Sequence, residues 1–273
     1  MTQPVAKKAK VPVPTQIRAD LYDYPKYYDV IFAADWRAEL KFLVACFQKH
    51  ATRKVKRVFE PACGTGRLLT KLHEVGLEVA GNDLNPRAVG YCNARFRRRG
   101  WKEPAIVGDM SAFTVKKPYD AGFNMINSFR HLPTEESARK HLECMAAAIA
   151  PGGLYILGLH LTPLGTPVVD EERWTARRGT LSVSSRMWTI QLDRQNRNEH
   201  LGMTFDVRMP TRRLFLEDEM HYRIYTASQM AALVKTVPAW EIVATYDFGY
   251  DIASPITVTD KSEDTVFVFR RRA

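Results

Sequence analysis

No stretch of this chain approaches the roughly 18 consecutive apolar residues that a membrane helix needs. The basic start, Lys7-Lys8-Ala9-Lys10, is followed by no apolar core of the kind an export signal carries, so export is not expected. Cysteine is scarce. Cys46, Cys63, Cys92 and Cys144 form no CxxC pair and no Cys/His cluster at zinc spacing, which excludes a zinc module and a disulfide-stapled scaffold. Three of them fall in helical patterns and read as buried free thiols, and a reducing cytoplasm fits best. No internal repeat is present. What remains is ordinary for a soluble domain: 273 residues, 45% hydrophobic and 26% charged, enough for one large domain or two small ones. The net charge of +10 favours acidic partners without naming one.

Residues 1–17, rich in proline and lysine, read as a flexible tail. Residues 18–56 read as a helical lid, with Tyr22, Tyr24, Tyr27 and Tyr28 ahead of an amphipathic run over 36–47. From residue 57 short apolar runs alternate with helical patterns: strands at 58–60, 77–83, 105–108, 119–127 and 154–161, and helices at 65–75, 86–99 and 135–150, with a turn at 151–153. That alternation argues a parallel sheet covered on both faces. The pattern then changes. Leu201, Met203, Phe205, Val207 and Met209 alternate strictly, Leu214 to Ile224 nearly so, and 181–192 more weakly, which is the period of an antiparallel sheet with one buried face. We read a β insertion over 173–225 within a core formed by 57–172 and 226–273. Thr226 and Gln229 make a capping box for a helix to about residue 236, and two strands, 240–248 and 265–269, close the chain.

Three strand ends carry chemistry. At Val58-Phe59-Glu60-Pro61-Ala62-Cys63-Gly64-Thr65-Gly66-Arg67, a strand ends, a glycine loop turns and a helix begins. Gly64 and Gly66 let backbone approach a ligand, and the helix start offers free N–H groups; the bland alternative is a tight strand–helix turn. At Gly81-Asn82-Asp83-Leu84-Asn85-Pro86, an acid ends the second strand, where a carboxylate can accept both hydroxyls of a ribose; the alternative is a helix cap. At Val107-Gly108-Asp109-Met110, Asp109 can accept from an exocyclic amine such as adenine N6 while Met110 packs on the ring; alone, it is a loop aspartate. A NAD-type site would require a third glycine where Leu69 stands, and it would place phosphates beside Glu60. A carboxylate repels phosphate and attracts an aminoacyl sulfonium.

Together the three motifs resemble the class I S-adenosylmethionine-dependent methyltransferases, over roughly residues 57–161, with the family's E-x-x-C-G-T-G loop at Glu60 to Gly66. The segment Ala148-Ile149-Ala150-Pro151-Gly152-Gly153 is similar to the family's L-x-P-G-G turn. Asn127-Ser128-Phe129-Arg130-His131-Leu132 is similar to its loop after the fourth strand. The resemblance implies an α/β fold: a doubly wound, Rossmann-like seven-stranded sheet with its last strand antiparallel, and a small antiparallel β insertion after the fifth strand. It implies S-adenosylmethionine as cofactor, held by Tyr28 (of a Y-D pair with Asp29), Glu60, Gly64, Thr65, Gly66, Asp83, Leu84, Asp109, Met110 and Asn127.

Methyl transfer asks chiefly for positioning of the acceptor, with a general base optional. His131 is the candidate base, and His160, at the end of the fifth strand, carries lower weight; each has the alternative of a packed or capping histidine. The insertion resembles the substrate-binding addition of small-molecule methyltransferases. Trp174, Arg186, Trp188, Arg208, Arg223 and Tyr225 are its candidate pocket residues, and the arginines suggest an anionic acceptor; alternatively the insertion is a homodimer surface. The basic clusters read as solvated faces, and no nucleic-acid module is evident. The expected activity is methyl transfer to an oxygen or nitrogen of a small molecule. The alternatives are an RNA or protein methyltransferase, or a cofactor-holding subunit without turnover.

Overall fold

A computed structural model describes residues 13–32, 36–165 and 171–273. The elements in chain order are β1 (Thr15–Arg18), α1 (Pro25–Phe32), α2 (Trp36–His50), β2 (Arg57–Pro61), α3 (Arg67–Glu74), β3 (Glu78–Asp83), α4 (Pro86–Arg97), β4 (Ala105–Val107), β5 (Tyr119–Asn124), α5 (Glu135–Ala148) and β6 (Ile149–His160). These are followed by β7 (Glu171–Arg178), β8 (Leu181–Asp193), β9 (Asn198–Arg208), β10 (Arg213–Arg223), α6 (Ala227–Lys235), β11 (Trp240–Tyr246) and β12 (Asp264–Arg271).

Seven strands form one sheet in the order β11-β12-β6-β5-β2-β3-β4. β12 runs antiparallel to β6 and β11, and the pairs among β2 to β6 are parallel, which is the expected doubly wound sheet. The two faces of this sheet are filled separately. Phe42, Leu68, Leu72, Cys92 and Phe96 belong to one core cluster, and Leu142, Met145, Met230, Leu233 and Trp240 to the other. Burial on both faces accounts for the apolar run Leu154–Leu159 of β6. Helix starts follow local chemistry. The Asn85 side chain accepts from the backbone N–H groups of Arg87 and Ala88, with Pro86 in the first turn, and α6 carries the Thr226–Gln229 capping box.

The second sheet, in the order β1-β10-β9-β8-β7, is the expected insertion with two strands added. Leu181, Val183, Leu201, Met203, Phe205, Leu214 and Leu216 bury its inner face together with Val30 and Ile31 of α1. β7 was not foreseen, because Glu171-Glu172-Arg173-Trp174-Thr175-Ala176-Arg177-Arg178 is polar and mostly exposed on both faces. The tail expectation needs correction. Residues 1–12 lie outside the described residues, but Thr15–Arg18 pairs in parallel with Leu214–Glu217, and Ile17 packs on the insertion's core. One apolar residue among polar neighbours was too weak a period to register.

Two boundaries also move. The stretch expected as a turn, Pro151-Gly152-Gly153, lies inside β6, where the register against β5 shifts between Tyr119 and Ala121. β5 stops at Asn124 rather than at 127, because Ile126 and Asn127 take φ of 54° and 69°, outside strand geometry.

Candidate active site

The carboxyl ends of β2, β3 and β4 and the chain following β5 open into a cavity of about 710 Å³, roofed by the N-terminal segment. Its wall includes Tyr22, Tyr28, Gly64, Thr65, Asp83, Leu84, Asp109, Met110, Ile126, His131 and Tyr222. Ligands bind at this edge of a doubly wound sheet, and the volume is within the usual range of small-molecule sites.

The floor is the glycine loop. Gly64 takes φ of +52°, and a Cβ there would meet nothing within 4 Å, so its missing side chain leaves open cavity. Gly66 takes φ of +66°, and a Cβ there would lie 2.3 Å from Cys92 Sγ. Its role is to let the loop close onto α4, and it is not in the cavity wall. Asp83 secures the loop from β3: one carboxylate oxygen accepts from Gly64 N at 2.7 Å and the other from Asn85 N at 2.9 Å. Burial raises the Asp83 pKa, and these two N–H groups oppose that rise.

Glu60 sits deeper. It is 8% exposed, and its Oε2 has no hydrogen-bond partner among the described residues. Burial pushes its carboxyl well above the ordinary range, and the Arg67 guanidinium opposes this. Arg67 itself is held by Glu39 of α2 in a two-pronged ion pair. Ionised, such a buried carboxyl needs a cationic group at its unsatisfied oxygen. An aminoacyl sulfonium fits this floor, and Leu84, 73% exposed at the cavity wall, offers an apolar face to a flat ring. The residues present therefore fit S-adenosylmethionine.

The loop that carries Asp109 and Met110 is fixed from behind. Asp109 Oδ1 accepts from the N–H and hydroxyl of Ser111 at 2.7 and 2.8 Å. His141 Nδ1 lies 2.8 Å from the Met110 carbonyl and its Nε2 2.6 Å from the Tyr155 hydroxyl. Since a carbonyl only accepts, the proton is on Nδ1, and Tyr155 donates to Nε2. Burial lowers the His141 pKa to about 4. His141 is a site residue that sequence reasoning missed; its only signal was a histidine on the apolar stripe of α5.

The opposite wall is aromatic. The Tyr22 hydroxyl lies 2.8 Å from His131 Nε2, and the His131 ring meets Tyr222 edge-on at 4.7 Å. Burial, then the neighbouring Arg130, lowers the His131 pKa to about 4, so its ring is neutral at physiological pH. Burial raises the phenol pKa values of Tyr22 and Tyr28, which keeps both hydroxyls protonated. Tyr22 and Tyr222 were not singled out for this wall; the tyrosine cluster and the alternating run of β10 were their signals.

Other expected site residues lie elsewhere. The Asn127 side chain accepts from His160 N at 2.9 Å and tethers β6 instead of lining the cavity. His160 pairs with Asp264 outside the wall. Trp174 packs edge-on against Phe32 at 5.7 Å. Tyr225 is fully buried beside Phe129. Arg186 is paired with Glu171, Arg208 with Asp206 and Arg223 with Glu135, and Trp188 lies under the Arg186 guanidinium. None of these is in the cavity wall, whose charged side chains are Asp20, Asp83 and Asp109.

Comparison with known proteins bears on the same region. Residues 58–153 match the family model described as a methyltransferase domain. A curated relative, the dTDP-4-amino-2,3,4,6-tetradeoxy-D-glucose N,N-dimethyltransferase of Saccharopolyspora spinosa, is 26% identical over 140 residues, covering 50% of this chain and 53% of that protein. The chain thus spans about half the length of that relative. Among solved structures, Streptomyces venezuelae DesVI superposes with a TM-score of 0.75 at 16% identity, covering 93% of this chain and 99% of that one. The amino pentose methyltransferase CalS10 of Micromonospora echinaspora, solved with S-adenosylmethionine bound, gives 0.70 at 18% identity, covering 91% and 96%. At these identities the structural likeness establishes the fold.

Proposed function

We propose that this chain, whose residues 58–153 match a methyltransferase domain, is an S-adenosylmethionine-dependent methyltransferase that transfers a methyl group to an amine nitrogen of a small, uncharged or cationic molecule. S-adenosylmethionine, when bound, supplies a methyl group on a positively charged sulfur, already activated toward a nucleophile. Gly64 and Thr65 would receive its aminoacyl end above Glu60. Asp83 would take the ribose hydroxyls on the lone pairs left by its two backbone bonds, and Asp109 and Met110 the adenine.

The observation that carries the acceptor assignment is the make-up of the far wall. It holds a neutral histidine and tyrosine hydroxyls, with no lysine or arginine among the described lining residues. An anionic acceptor would find no cation there to pair with, whereas an amine meets hydrogen-bonding groups and a base. His131 is the acceptor-side base. Tyr22 occupies its Nε2, and Nδ1 has no partner among the described residues. A tyrosine that donates to Nε2 leaves the ring proton on Nδ1; one that accepts leaves Nδ1 free to take a proton from the acceptor nitrogen. The relatives named for amino-sugar methylation support an amine acceptor of sugar size.

Calorimetry with S-adenosylhomocysteine, followed by methyl-transfer assays against amino sugars, neutral sugars and carboxylates, tests this. Transfer to amines supports it, and transfer confined to carboxylates overturns it. Cofactor binding with no turnover on any acceptor would point to a cofactor-holding subunit.

A further inference from the structure

Asp29, next in sequence to the cavity-lining Tyr28, is 1% exposed, and its carboxylate is the meeting point of three parts of the molecule. Thr65 Oγ1, between the two glycines of the cofactor loop, donates to Oδ1 at 2.8 Å. Arg95 of α4 reaches the same oxygen at 2.6 Å. Arg178 of β7, in the second sheet, reaches Oδ2 at 2.7 Å and the Asp29 carbonyl at 3.2 Å. Tyr91 of α4 adds a longer contact to Oδ2 at 3.4 Å. Burial disfavours the charge, but Arg95, Thr65 and Arg178 outweigh it and hold the carboxyl below its ordinary value. One turn further along α1, Phe32 packs on Trp174. A helix face at spacing i, i+3 thus meets Trp174 and Arg178, which share one face of β7.

We propose that Asp29 is a positioning residue that links the cofactor loop to the second sheet, so that filling the cofactor cavity orders β7 and β8. The inference rests on the cofactor assignment above. Releasing Arg178 would leave the buried Oδ2 of Asp29 with only the longer Tyr91 contact, and an under-satisfied buried acceptor is costly. The loop, α1 and β7 are therefore constrained to shift together. Thr65 faces the cavity on one side and Asp29 on the other, so a ligand that fixes the loop also fixes the carboxylate that Arg178 grips. A coupling of this kind is a difference in the sheet's order between empty and filled states.

The test is hydrogen exchange on the full chain with and without saturating S-adenosylhomocysteine, comparing wild type, Arg178→Gln and Arg173→Gln. Arg178 is half exposed and Arg173 more so, so both variants should fold. In wild type and Arg173→Gln, the ligand should slow exchange in Glu171–Asp193 by about fivefold or more, a factor at the low end of ordinary site-to-site coupling. Arg178→Gln should lose that response while keeping the ligand's Kd within about threefold of wild type. Equal protection in wild type and Arg178→Gln, or no protection of β7 and β8 in ligand-bound wild type, overturns the inference and leaves the cofactor assignment standing. Failure of S-adenosylhomocysteine to bind wild type overturns both.

Discussion

Tyr22 places its hydroxyl 2.8 Å from Nε2 of His131, across 109 residues of sequence. The N-terminal segment therefore supplies part of the cavity wall. Tyr22→Phe should lower kcat by roughly tenfold and His131→Ala by about a hundredfold, within the range of positioned general bases, with S-adenosylhomocysteine affinity unchanged. A His131→Ala enzyme with wild-type kcat would remove His131 from the chemistry.

The pH dependence has a definite sign. His131 and His141 are both lowered to about 4 by burial, against about 6.5 in an unfolded chain. Between those values the unfolded state binds more protons, so stability is full above pH 6.5 and falls as pH drops toward 4. The two groups together should cost several kcal/mol over that window, on the order of 3 kcal/mol each. Urea titrations at pH 7.5 and pH 5, on wild type and His141→Gln, measure it. Wild type should lose more stability on acidification than the variant, and equal losses would show that His141 is not buried neutral.

Asp83→Ala should weaken S-adenosylhomocysteine binding by roughly 30- to 1,000-fold, from about 2–4 kcal/mol of lost charge-assisted bonds. It should also loosen the glycine loop, since the Gly64 N–H loses its acceptor. Calorimetry with a melting curve separates the two effects. An unchanged Kd would show that the ribose is held elsewhere.

The two loop glycines should fail differently. Gly64→Ala has space for its methyl group but bears left-handed strain of about 1 kcal/mol. It should fold and lose ligand affinity, because the methyl enters the cavity. Gly66→Ala collides with Cys92 Sγ and should lose about 1–3 kcal/mol of stability. Adding Cys92→Ala should restore part of that loss. Thermal unfolding of the three variants decides it.

Arg186→Gln and Arg208→Gln should leave methyl transfer within about twofold of wild type, because exposed ion pairs contribute little and neither side chain reaches the cavity. A selective loss on acidic acceptors would restore the anionic-acceptor reading.

The sheet was legible because its burial is extreme. Val58, Phe59, Ala121 and the residues from Leu154 to Leu157 are apolar on both faces, and Gly64, Asp83 and Asp109 stand at or just past the ends of their strands along one edge. The far wall was not legible. Tyr22, His131 and Tyr222 belong to a strap, a loop and an insertion strand, and only tertiary packing makes them neighbours. Arginines on an alternating strand pattern suggested a pocket, but alternation states which face a residue occupies and not what lies on that face. Arg186 and Arg208 turned out to neutralise carboxylates on their own sheet. β7 and β1 escaped because strands exposed on both sides carry almost no hydrophobic period.

The parallel pairing of Thr15–Arg18 with Leu214–Glu217 also bears on how the chain reaches its native state. During synthesis the N-terminal strand emerges about 200 residues before its partner, and so distant a contact is slow to close. Until β10 appears, the strap that carries Tyr22 and Asp29 has no sheet to join. Conversely, a chain shortened past Arg18 would leave the backbone of β10 unpaired along one side, a template for pairing with another molecule. Early truncation should thus damage solubility before it damages the seven-stranded sheet.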